Sequence, residues 1–121
     1  MIITIPGNPI TRSLKHTRSG RVYNPRAKEE KVIQLFIKNE ARKNGFRRDD
    51  SKQLAVSLKF YINKNSPGRP CDPDNLEKVY RDAIKRAGLV KDDSNRYIMI
   101  ISREYYREPN IESRTVIEIR D

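Results

Sequence analysis

Residues 54–62 alternate without a break: Leu54, Val56, Leu58, Phe60 and Ile62 are apolar, with Ala55, Ser57, Lys59 and Tyr61 between them. A period of two predicts a half-buried β-strand. The strand stops at Asn63-Lys64-Asn65-Ser66-Pro67-Gly68, a cluster of turn formers. Beyond it the period changes. Leu76, Val79, Tyr80, Ala83 and Ala87 recur at helical spacing, which predicts a helix from about Pro73 to Ala87, closed by Gly88. A strand with one apolar face and a helix with one apolar stripe must bury them against each other, so the chain is committed to layers of both kinds.

The remaining segments fit that frame. Met1–Ile5 reads as a short strand ending at Pro6-Gly7-Asn8-Pro9. Residues 10–26 read as a basic loop. Asn24-Pro25 opens a first helix, with Glu29 and Glu30 complementing its dipole and Asn44-Gly45 ending it. Val32, Leu35, Phe36 and Ala41 are expected on its buried face. Tyr97–Ile101 and Thr115–Ile119 are two further strands, expected to form an antiparallel hairpin across the segment Glu104–Arg114. The order β-α-β-α-β-β predicts an α/β domain of the two-layer α+β kind. A mixed four-stranded sheet would carry both helices, with residues 1–121 forming a single domain.

Charge narrows the function. The net charge is +10, and 35% of residues are charged against 36% apolar, so a polyanionic partner is expected, nucleic acid before membrane. No apolar run approaches the ~20 residues needed to span a bilayer. The start Met1-Ile2-Ile3-Thr4-Ile5-Pro6 lacks the basic opening of a signal peptide, and a cytoplasmic address is expected. With one cysteine, Cys71, and one histidine, His16, neither a disulfide within the chain nor a Cys- or His-rich metal site can form. Arg12, Lys15, Arg18 and Arg21 make a candidate phosphate-tracking arm.

Acidic residues run against this basic trend at Asp72-Pro73-Asp74-Asn75-Leu76-Glu77-Lys78, then at Asp82 and at Asp92-Asp93. Asp72 falls at the N-cap of the second helix and Asp74 in its first turn. The positive helix end tolerates two carboxylates, and a hard divalent cation would relieve their remaining repulsion. Helical geometry puts Lys78 on the side of Asp74, away from the apolar stripe, where it can meet a phosphate. Asp92-Asp93 lies in the loop leading into the next strand. An N-cap and a turn are the competing, purely structural readings of these acids.

Taken with Val79-Tyr80-Arg81-Asp82-Ala83 and Lys85-Arg86-Ala87-Gly88-Leu89, this stretch resembles the signature of the RusA family of Holliday-junction resolvases. The resemblance implies a homodimeric, Mg²⁺-dependent endonuclease, with Mn²⁺ as a substitute, that makes paired nicks in four-way DNA. It implies metal-binding catalytic aspartates at Asp72, Asp74 and Asp93, a catalytic lysine at Lys78, and a partly structural Asp82. Cys71 stands where the best-known member has a basic residue, and Arg69 is expected to compensate as a DNA contact. Two alternatives remain: a non-catalytic nucleic-acid-binding module, and an Mg²⁺ nuclease for flaps or forks.

Overall fold

The computed structural model describes residues 1–11, 15–65 and 73–120. Strand β1 (Ile2–Pro6) leads to a small ribbon, β2 (Lys15–His16) and β3 (Val22–Tyr23), then to helix α1 (Ala27–Lys43) and strand β4 (Leu54–Asn63). Helix α2 (Pro73–Arg86) and strands β5 (Ile98–Glu108) and β6 (Arg114–Arg120) follow. Four strands make one mixed sheet in the order β1-β6-β4-β5. β6 is antiparallel to both neighbours, and β4 is parallel to β5. The helices touch each other and share one core with the sheet, which is the expected two-layer arrangement.

The alternation in β4 is borne out: Leu54, Val56, Leu58 and Phe60 are buried, and Ile62 is half-buried where the strand runs out. They meet Leu76, Val79, Tyr80, Ala83 and Ile84 of α2, with Phe60 and Tyr80 ring centroids 5.4 Å apart. Both helices end as read. Asn44 is the C-cap of α1, and Gly45 and Gly88 take φ of +70° and +86°, a region that admits glycine without steric cost.

Three expectations need correction. The first is the hairpin. β5 and β6 are not neighbours, because β4 lies between them. Helix α2 delivers β5 parallel to β4, as a crossover connection must. Phe60 then stacks on Tyr105 and Tyr61 on Tyr106 along that pair, with centroids 5.4 and 4.9 Å apart. β6 takes the other edge of β4 and joins it to β1, burying Thr115, Ile117 and Ile119. β5 is also longer than expected, because the charged residues after Ile101 suit an edge strand and mask its continuation.

The second is the face of α1. Val32 and Leu35 are 65% and 58% exposed, whereas Ile33, Ile37 and Ala41 are buried and Phe36 is partly buried. Two apolar stripes overlap on this helix, and docking against α2 and β1 selects the second. Glu30 is buried on the same face, and its carboxylate accepts a hydrogen bond from the Asn24 side chain. Pro25 lies just before the N-cap Arg26 rather than inside the first turn. The third correction is that the loop 10–26 contains the ribbon β2–β3, whose two-residue strands are too short to show a period.

One irregularity matters for the site. Val56 pairs with Ile100 but Ser57 pairs with Ser102, so Ile101 is an extra residue on β5. A bulge of this kind shifts by one the residues that face each side. Ile98 and Ile100 face the helices before it, and Arg103 and Tyr105 do so after it.

Candidate metal and DNA site at the ends of helix α2

Burial of the apolar stripe turns Asp74 and Lys78, one helical turn apart, out to solvent. Among the described residues Lys78 makes no hydrogen bond or ion pair. Glu77 points instead toward the sheet and receives Arg103 of β5 as a two-pronged ion pair. Arg103 Nη2 donates to Glu77 Oε1 at 3.0 Å, and Arg103 Nε donates to Oε2. The hydrogen bond to Glu77 holds the Arg103 guanidinium above its ordinary pKa, and the charges of Glu77 and then Asp74 add to the effect. Arg103 therefore keeps a fixed positive charge within the field of Asp74. The sequence reading did not single it out. Its place depends on the bulge at Ile101, which has no local signature.

Asp93 lies elsewhere. Lys85 and Asp92 approach to 4.0 Å, and Arg81 Nη2 donates to Asn95 Oδ1 at 2.9 Å and to the Ile98 carbonyl at 3.0 Å. Asp93, half-buried, donates its backbone N–H to Asp92 Oδ1 at 2.8 Å. These bonds hold the loop against the C-terminal half of α2. At 1.5 Å per residue, Asp74 lies about 10 Å along the axis from Arg81 and about 16 Å from Lys85. The loop that carries Asp93 is thus tied to the C-terminal half of α2, whereas Asp74 lies in its first turn. Among the described residues no three His, Cys, Asp or Glu side chains are grouped to hold a metal. Asp72 lies outside the described residues, as do Arg12, Arg69 and Cys71.

The other singled-out residues sort by environment. Asp82 is 9% exposed and accepts from Arg86 Nε at 2.9 Å, a pairing that ties the last two turns of α2 together. Arg18 and Arg21 are exposed in the turn of the β2–β3 ribbon, where Thr17 Oγ1 accepts from the Arg21 backbone N–H at 3.1 Å. Lys15 lies on β2, paired with Tyr23 of β3. His16 is exposed, and among the described residues its side chain makes no hydrogen bond or ion pair. Tyr105 and Tyr106 lie within β5.

No helix among the described residues is long and apolar enough to cross a membrane. No curated protein matches the chain. The family model of endodeoxyribonuclease RusA matches residues 6–120 of the 121, and the chain belongs to that family of nucleases.

Proposed function

We propose that the chain is a homodimeric, Mg²⁺-dependent endonuclease that resolves four-way DNA junctions by paired symmetric nicks. The observation that carries this reading is the exposed Asp74–Lys78 face at the positive end of α2, in a chain with net charge +10 whose family match spans residues 6–120. The donor set fits the ion. Aspartate oxygens suit hard Mg²⁺, and solvent-facing Asp74 leaves room for the waters this ion retains. Mn²⁺ takes the same donors.

The separation of Asp74 from Asp93 supports a dimer. A two-fold axis can set two α2 helices antiparallel, so that the Asp74 end of one meets the Asp93 end of the other. Edge strand β5 has an unpaired edge and carries exposed Tyr105 on the side of the helices, which offers a surface for that contact. Asp72 and Asp74 of one protomer would then hold the ion together with Asp93 of the partner subunit. When bound, the ion supplies charge neutralisation at the scissile phosphate and activation of the attacking water. Lys78 contacts a phosphate oxygen and stabilises charge developing there. Arg103, fixed by Glu77, limits the repulsion between Asp74 and the incoming phosphate. Two such sites related by two-fold symmetry match the pseudo-symmetry of a four-way junction and account for paired cuts.

The test is nicking of a synthetic four-way junction by pure protein, with Mg²⁺, with Mn²⁺ and with chelator. Paired symmetric cuts that need the metal are expected. Robust cutting in chelator would remove the metal from the reading. Binding without any cutting would favour a non-catalytic module. Preference for flaps or forks over junctions would change the substrate.

A further inference from the structure

We propose that a cleft between the C-terminal ends of α1 and α2 binds the phosphodiester backbone of DNA through Lys38, Arg42 and Arg47. The cleft has a volume of about 340 Å³ and contains apolar surface from Ala41, Phe46 and Leu89. All three cations are exposed, and among the described residues none forms a hydrogen bond or ion pair through its side chain. Their neighbours are already neutralised. Lys43 pairs with Glu40 at 3.4 Å and Arg48 with Asp50 at 2.7 Å, while Asp49 accepts from the Ser51 backbone N–H and hydroxyl at 3.0 and 2.6 Å.

Capping the helix does not explain these cations. The terminal carbonyls of α1 are satisfied by the chain: Asn44 N–H donates to Glu40 O at 3.1 Å, Gly45 N–H to Arg42 O at 3.1 Å, and Phe46 N–H to Ala41 O at 2.9 Å. Lys38 and Arg42 stand one turn apart, a like-charge spacing that costs stability in an isolated helix unless an anion lies between them. A phosphate supplies that anion, and apolar cleft surface suits the sugar beside it. The wall formed by Gly88 and Leu89 precedes the loop of Asp93 in the chain. The inference rests on DNA being the partner, and it adds a second contact region to the one expected at Arg12, Lys15, Arg18 and Arg21.

The experiment is binding of a labelled duplex and a labelled four-way junction in chelator across a salt series. The combined variant Lys38→Gln/Arg42→Gln/Arg47→Gln is compared with Lys28→Gln/Lys31→Gln/Arg107→Gln, which removes the same charge from exposed positions outside the cleft. Each phosphate contact contributes about 0.9 to the salt slope, so the cleft variant should lose about two to three, with at least about tenfold weaker binding at 0.1 M salt. The charge-preserving Lys38→Arg/Arg42→Lys/Arg47→Lys variant should restore most of the slope, which separates charge from folding. An unchanged slope in the cleft variant, or an equal loss in the control variant, would overturn the cleft. Junction nicking by the same wild-type protein is scored separately. Nicking with an unchanged slope removes the cleft and leaves the resolvase reading; a lost slope without nicking does the reverse.

Discussion

The two ends of α2 are built on opposite electrostatic terms. The N-terminal end places Asp74 where the helix dipole is positive, with Lys78 open to solvent and Arg103 fixed by Glu77. The C-terminal end collects cations, Lys85 and Arg86 in the last turn with Arg42 and Arg47 across the cleft, around a loop that presents Asp93. Among the described residues neither end groups three side chains able to hold a metal. One presents a carboxylate and an exposed lysine; the other presents a carboxylate beside exposed cations. In the proposed dimer the two ends would complete one another across the two-fold axis.

Mixing inactive proteins would break or sharpen that contrast most strongly. Asp74→Asn and Asp93→Asn should each abolish nicking almost completely, by at least about a thousandfold, while leaving the fold and junction binding in place, since each removes negative charge beside the ion and the phosphate. If the two aspartates act across a dimer, co-refolding the two variants forms heterodimers with one intact site. Single-nick activity should return to about a quarter of wild type, from half the dimers each holding one of two sites. No recovery would place both aspartates in one protomer's site and dissolve the contrast between the ends.

Lys78→Ala tests the N-terminal end alone. Loss of one positioned cation should lower the nicking rate by about a hundredfold, with metal affinity preserved because lysine is not a ligand. Metal titration followed by single-turnover nicking measures both. Loss of metal binding in this variant would mean that the lysine orders the carboxylates instead of meeting phosphate.

The contrast also requires α2 to stay docked. Ile84, fully buried on its core face, should cost about 2–5 kcal/mol on truncation to alanine, measured by urea unfolding. Leu35→Ala on the exposed face of α1 should stay within about 0.5 kcal/mol. A large loss at Leu35 would show that α1 buries that face in the assembly.

The smallest effect concerns pH. The hydrogen bond from Arg48 holds the Asp50 carboxyl below the usual carboxylate range. Any stability from this depressed pKa is therefore present above the unfolded value, near 3.9, and is lost as pH falls through the folded one. Because the pair is exposed, Asp50→Asn should change acid unfolding only slightly. A pronounced shift in the acid midpoint would show that the pair organises the loop beside the cleft.

Much of this was legible from local pattern. Strand β4 and helix α2 each carry one unambiguous apolar period, so their buried faces follow from chain geometry alone. The exposed placement of Asp74 and Lys78 follows from the same helix. α1 was different, since Val32 with Leu35 and Ile33 with Ile37 offer two stripes about one turn wide, and only a neighbour can choose between them. The charged outer half of β5 hides its length in the sequence, and its partner is set by the α2 crossover and not by nearness to β6 in the chain.

By itself the sequence determined the element types, the basic character, the acidic motif and the helix that presents it, because these depend on interactions between residues a few positions apart. Tertiary structure decided what depends on distant partners. It placed β6 between β1 and β4, turned Arg103 onto Glu77 by one extra residue in β5, and tied the loop of Asp93 to the C-terminal half of α2. It also decided which cations are spent. Lys43 and Lys38 look alike in the sequence, but one has an acid within 3.4 Å and the other faces an open cleft. Charge pairing falls off over a few ångströms, so it is set by packed geometry and not by composition.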